Sequence, residues 1–242
     1  MSVKVKLKSN STVSTKKSNP AKVPVMFTTI IVALFVIIYF ISHANSGQKE
    51  AERFANPPSI VDQPIIGSEQ AEVTMIEFGD YKCPSCKLWS EKIYPQLKEK
   101  YMDSGLVKLA FINTLFHGEE STLGALAGEA VLLQNKDAFW EFNEAMFAAQ
   151  PTSEHNTTWI TIEEIAKIAQ SIPTKIDIAK LINDVTNRST SSQVDTDTGI
   201  VTKYQINETP ALLINGIKVS NPFDLNEIKK LIDTEIGGVQ NE

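Results

Sequence analysis

The chain contains two cysteines and they stand three apart, as Cys83-Pro84-Ser85-Cys86. Two thiols at that spacing can exchange a disulfide, supply half of a zinc site, or staple a short loop. A lone pair builds no disulfide framework, and a chain of 242 residues can bury a core without one, which leaves the pair for chemistry. A zinc site needs further ligands, and His43, His117 and His155 do not share metal-ligand spacing. An inert disulfide across so small a loop adds little by chain entropy. The sequence therefore points to thiol-disulfide exchange, with a metal site and an inert pair as the alternatives.

That chemistry needs a particular setting. Residues 72–78 (EVTMIEF) read as a buried strand running into Gly79-Asp80-Tyr81-Lys82 and the cysteines. A helix follows, with Leu88, Trp89, Ile93 and Leu97 at helical spacing, a kink at Pro95, and an end at Gly105. Residues 107–112 (VKLAFI) form a second strand, which makes a βαβ unit with parallel pairing. From Ser121 to about Lys203 the pattern is helical. Phe139, Phe142, Met146 and Phe147 form one apolar stripe, and Ile162, Ile165, Ala166 and Ala169 form another behind a capping box at Thr161 and Glu164. Thr174 to Asp177 repeats the capping pattern before Ile178. The aromatic run Phe139-Trp140-Glu141-Phe142 is read as core rather than as a ligand platform. The sheet resumes at residues 211–214, turns at Asn215-Gly216 and returns over 217–219. Asn221-Pro222 is expected to start a last helix, its inner face Leu225, Ile228 and Ile232, ending before Gly237-Gly238. The fold class is α/β, in the order β-α-β, helical insert about 119–203, β-β-α.

In this order Cys83 sits at a helix N-terminus, where free backbone N–H groups and the helix dipole favour a thiolate. Cys83 is the expected nucleophile. Cys86, one turn further in, is the expected resolving thiol. Pro84 suits a first-turn position, and Ser85 offers only a hydroxyl and a backbone N–H. Lys82 and Lys87 are expected to be solvated. Asp80 and Tyr81 are read as loop and packing residues. Pro210 directly precedes a strand, where a residue without an N–H needs a reason. Glu77, between Ile76 and Phe78, is expected to be buried below the resolving thiol, where it would relay a proton.

The N-terminal region has a different character. Six lysines lie before residue 25, while the first acidic residue is Glu50. Beyond that stretch 17 basic residues face 29 acidic ones, a balance that excludes nucleic-acid binding. Val25 to Ile41 is an uncharged run of 17 residues, close to what is needed to span a hydrocarbon core of about 30 Å. Residues 1–22 are read as a disordered basic cytoplasmic tail, 23–42 as a transmembrane signal-anchor, 43–58 as a linker and 59–242 as the catalytic domain. The positive-inside rule places that domain outside the cytoplasm. Cleavage after Ser42-His43-Ala44 and release of a secreted form is the alternative.

EFGDYKCPSCKLW at 77–89, DAFWEFNEAMFAAQ at 137–150 and NETPALLINGIKV at 207–219 resemble the DsbA-like thiol-disulfide oxidoreductases, and especially the membrane-anchored BdbD-type proteins of Gram-positive bacteria. The resemblance runs from about Ser59 to Ile232. It implies a thioredoxin-like fold with a helical insertion, no cofactor beyond the Cys83-Cys86 disulfide, and no metal. It also implies that the Thr209-Pro210 bond is cis, with Pro210 facing the cysteines and the Thr209 backbone free to pair with substrate. The implied partners are reduced exported proteins and a DsbB-like, quinone-linked membrane reoxidase, with the enzyme itself a monomer. Ser85 and Thr209 depart from the DsbA prototype, which has histidine and valine there, so a milder oxidant is expected. A membrane-anchored reductase or isomerase is the runner-up. Glu119-Glu120 and Asp195/Asp197 offer oxygen ligands for a cation such as calcium, but are read as solvated acidic surface.

Overall fold

The computed structural model describes residues 31–39, 53–152 and 157–239. The chain divides into two units, Met1–Glu50 and Ala51–Glu242. In the first, residues 31–39 form a helix (α1) with exposed apolar side chains. No helix among the described residues is long and apolar enough to cross a membrane. The rest of the expected anchor 23–42, the tail 1–22 and residues 43–52 of the linker lie outside the described residues. The linker's last residues, 53–58, lie on the second unit: Arg53 bridges to Ile217, the Phe54 N–H donates to the Gly216 carbonyl, and the Phe54 ring meets Tyr204 edge-on.

The second unit is built on a five-stranded sheet of order β1-β3-β2-β4-β5. β2 (Val73–Gly79) and β3 (Val107–Asn113) pair in parallel at its centre, as the βαβ reading expects. Both are almost wholly buried because helices cover both faces. β4 (Ala211–Ile214) pairs antiparallel with β2, and β5 (Ile217–Lys218) with β4. Asn215 (φ 45°) and Gly216 (φ 79°) turn that hairpin in the left-handed region, as a type I′ turn requires. β1 (Ile65–Ile66) adds an antiparallel edge to β3. Two residues are too few to show a strand period, so the sequence did not reveal it.

The helix after the cysteines is broken more thoroughly than one kink. α2 (Pro84–Lys92) ends at Ile93, α3 (Tyr94–Leu97) restarts, and a π-helical turn occupies Lys98–Met102. Pro95 cannot donate to the carbonyl four residues back and its ring crowds it, which forces the break. Leu88, expected in the core, is 47% exposed, while Cys86 and Trp89 supply the inner face.

The insert comprises α4 (Glu119–Gln134), α5 (Lys136–Ala149), α6 (Ile162–Ser171), α7 (Ile178–Thr186) and α8 (Ser191–Lys203). Thr161 caps α6 by accepting from the Glu164 N–H at 3.2 Å. Asp177, not Thr174, caps α7; Thr174 is bonded to Glu141 instead. The stripe Phe139, Phe142, Met146 and Phe147 is buried as read. α9 (Leu225–Val239) starts later than expected, because Asp224 supplies the cap while Asn221 closes a preceding turn. It also runs through Gly237-Gly238.

Candidate active site

Cys83 is the N-cap of α2 and Pro84 its first residue. The Cys83 carbonyl accepts from the N–H groups of Cys86 (3.1 Å) and Lys87 (3.3 Å), which fixes the first turn and sets the sulfurs side by side. Both cysteines are free thiols. Cys83 is 6% exposed and Cys86 is fully buried, so an incoming sulfur reaches Cys83 first.

Their acidities are driven apart. A hydrogen bond from Cys86 lowers the Cys83 pKa most; burial opposes it; Thr209 and the N–H groups of Cys86 and Ser85 lower it further, and it falls to about 5. Cys86 is pushed well up, by burial first, then by Cys83 and by the charge of Glu77. Environment alone thus makes Cys83 the stabilised thiolate and Cys86 the reluctant one.

The Thr209-Pro210 bond is cis and the Thr209 carbonyl lies 3.4 Å from Cys83 Sγ. Strand and helix ends some 126 positions apart in sequence therefore meet at this sulfur. Glu77 is 2% exposed on β2, opposite Phe111 and Leu212. Its Oε1 has no hydrogen-bond partner among the described residues, and burial raises its pKa to about 8. The carboxyl is thus neutral at neutral pH, and it sits close enough to Cys86 that its charge, once ionised, raises the Cys86 pKa further.

Lys82, Lys87 and Glu120 depart from their sequence reading, whereas Asp80 and Tyr81 keep theirs as loop and packing residues. Lys82 is buried, not solvated: Nζ contacts Glu120 Oε1 at 2.8 Å and donates to the Thr157 carbonyl at 2.5 Å. Glu120 Oε2 accepts from the N–H groups of Trp159 and Ile160. Burial opposes its ionisation, but Lys82 and those two amides outweigh this and lower its pKa. Glu120 is therefore not free acidic surface. Lys87 is also buried and donates to the carbonyls of Phe147, Ala148 and Gln150 at the end of α5. Asp80 is a buried hub for the turn that carries the cysteines. Tyr81 packs against Phe111 and Phe147, accepts from Asn143, and takes Gln150 on its carbonyl. A buried lysine beside a catalytic motif reads in sequence like any surface lysine, since the partners that neutralise it are distant in the chain.

Asp197 likewise is buried rather than solvated: its carboxylate accepts from Gln63 and Asn113, and the same Asn113 amide donates to Glu129. A cavity of about 470 Å³ between residues 61–63, α4 and α8 opens beside this group. It does not include the cysteines.

A dithiol at the first strand-to-helix junction, asymmetric in acidity, with a cis-proline loop against its outer sulfur, defines a thioredoxin-fold thiol-disulfide oxidoreductase carrying a helical insert. The chain belongs to the thioredoxin family, whose sequence model matches residues 59–234. It is 38% identical over 194 residues to disulfide bond formation protein D of Bacillus subtilis, covering 80% of this chain and 86% of that protein. A probable disulfide bond formation protein D of Bacillus anthracis is 34% identical, with 86% and 91% covered. The crystal structure of oxidised BdbD from Bacillus subtilis superposes with a TM-score of 0.73, over 77% of this chain and 99% of that one. DsbA from Chlamydia trachomatis, 21% identical, shares the fold with a TM-score of 0.64, over 76% of this chain and 96% of that one.

Proposed function

We propose that this oxidoreductase works as an extracytoplasmic oxidant that donates its Cys83-Cys86 disulfide to cysteines of exported proteins. The observation that carries this reading is the stabilised Cys83 thiolate, with a pKa near 5. A site that stabilises its reduced form makes its disulfide the stronger oxidant. A substrate thiolate attacks Cys83 Sγ and breaks the bond to Cys86. Cys86 leaves and takes a proton, for which the neutral Glu77 carboxyl is the nearest buried source in this reading. A second substrate thiolate then attacks the mixed disulfide and releases Cys83, a good leaving group because its thiolate is stable. Two electrons enter the enzyme and the substrate gains one disulfide. Thr209 and Pro210 would hold the substrate strand against Cys83.

A dithiol left in this state must be reoxidised, and a DsbB-like, quinone-linked membrane partner fits that need. The apolar run 25–41 and the one-sided lysines support a signal-anchor at 23–42, an N-terminus in the cytoplasm and a catalytic domain outside; the domain is taken to work as a monomer. Fractionation tests the anchor: the full chain is expected with membranes, and deletion of residues 1–42 is expected to release it.

The direction of electron flow is tested by the equilibrium potential of the pair against glutathione. A value near that of thioredoxin, about −270 mV, would sink the oxidase reading in favour of the reductase. Substitution Cys86→Ala is expected to trap substrates on Cys83 as mixed disulfides; capture of none would reverse the roles of the two thiols.

A further inference from the structure

Asp80 touches both cysteines through its backbone. Its N–H points at Cys86 Sγ at 3.5 Å, and its carbonyl accepts from the Cys83 N–H at 3.0 Å. Its side chain is wholly buried and faces four donors. Oδ1 accepts from the Lys82 N–H at 2.8 Å. Oδ2 accepts from the Phe116 N–H at 3.0 Å and the Ser121 hydroxyl at 2.9 Å, and it lies 2.7 Å from Nδ1 of His117. Where the Asp80 carboxylate is the acceptor, Nδ1 of His117 is the donor in this contact. The His117 N–H donates to Ser121 Oγ, which fixes the ring's backbone against the same carboxylate. The imidazole is 39% exposed and opens on a cleft of about 530 Å³.

We propose that Asp80 and His117 form a positioning pair for the redox centre, in which the Asp80 carboxylate holds the turn carrying both cysteines and the charge of His117 sets how strongly that turn favours the Cys83 thiolate. The inference rests on the dithiol being the exchanging group.

The argument is one of local charge. Around His117, α4 presents Glu119 and Glu120 and the start of α6 presents Glu163. Glu119 is paired with Arg188, and Glu120 with Lys82. Lys82, the cation nearest in sequence, is therefore committed elsewhere, and its contact with Asp80 is through the backbone N–H alone. On the inner side stand Cys83, Cys86 and Glu77. With a neutral imidazole, the Asp80 carboxylate leaves a net negative charge on the residue whose backbone touches both cysteines, which disfavours a thiolate. With an imidazolium, the pair is neutral and that penalty is lifted. The reduced enzyme should therefore be favoured more, and its disulfide be a stronger oxidant, when His117 carries its charge.

His117→Asn tests this, because asparagine can still donate to Asp80 but cannot carry the charge. Full-length wild type and variant are equilibrated with glutathione buffers at about pH 5.5 and about pH 8. The equilibrium constant for oxidising glutathione is expected to be about threefold or more lower in the variant at the acid pH, and within about twofold of wild type at the alkaline pH. A variant equal to wild type at both, or displaced by the same factor at both, would overturn the proposal, since lost packing does not follow the imidazole's charge. Wild type that does not exchange with glutathione at all would sink the exchange reading itself, and this inference with it. A second measurement uses Asp80→Asn and the pH profile of Cys83 alkylation: the thiolate is expected to form at lower pH than in wild type. Should that variant not fold, His117→Asn alone decides.

Discussion

At Cys83 two forces oppose each other and the hydrogen bonds win. Burial alone would raise a thiol's pKa, yet the bond from Cys86, then Thr209 and two backbone amides, bring it to about 5. Thr209→Val keeps the shape and removes the hydroxyl, so the inflection in the rate of Cys83 alkylation is expected to move to higher pH. An unmoved inflection would assign the effect to the helix end and Cys86 alone. Glu77 shows the opposite balance, with nothing to offset burial and a pKa raised to about 8 from 4.5. A raised carboxyl stabilises the fold fully below its unfolded value and loses that contribution as pH rises through the folded value. Glu77→Gln is therefore expected to flatten the decline in stability of the oxidised protein between about pH 4.5 and 8, as read by denaturant unfolding. Some decline should persist, because burial also raises Glu129 to about 8.

Among the elements, the joint between α2 and the insert is the least visible in sequence. Lys82 and Lys87, one on each side of the C-x-x-C, both reach into the segment that leaves α5 and enters α6. Lys87 serves as the C-terminal cap of α5, satisfying carbonyls that a helix end leaves free. Lys87→Met is expected to destabilise the fold by about 1–3 kcal/mol for a buried carbonyl left unpaired, measured by urea unfolding; an unchanged midpoint would mean water replaces the lysine at no cost. Gly124 and Gly128 of α4 lie against Tyr81, and a Cβ at Gly124 would fall 2.9 Å from the Tyr81 ring. Gly124→Ala must move that ring and is expected to cost about 1–3 kcal/mol, with a matching loss in unfolding midpoint.

For the whole molecule, the redox state and the folding equilibrium are linked through the same thiol. A depressed pKa contributes stability that is complete above the unfolded value, about 9 for Cys83, and is lost as pH falls through about 5. The oxidised protein has no such titration at Cys83. The stability of the reduced form relative to the oxidised form is therefore expected to fall as pH is lowered from about 9 to 5, measured as paired unfolding curves. A constant difference across that window would mean that the thiolate gains nothing from the fold. The sheet places the site where such linkage is strongest: β2 and β3 are buried on both faces, and the cysteines lie directly beyond the end of β2.

The sequence by itself determined the chemistry and the order of elements. C-x-x-C after a buried strand, the type I′ signal at Asn215-Gly216 and the stripes of the insert are local patterns, set by spacing within a few residues. Cys83 and Cys86 were read as the exchanging pair for that reason, and Pro210 was singled out as a proline directly ahead of a strand, its place opposite the cysteines being what the resemblance implies. Only the tertiary structure decided what the charged residues do. Lys82, Lys87, Glu120 and Asp197 look solvated in a linear text, because burial of a charge depends on a partner far along the chain, 40 positions away for Glu120 Oε2 and the Ile160 N–H and 84 for Asp197 and Asn113. The short strand β1 and the late start of α9 at Asp224 escaped for a related reason: pairing and capping compete among neighbours, and packing selects the winner. The dithiol is written in the chain, but the acidities that give it a direction are set by groups the fold brings to it.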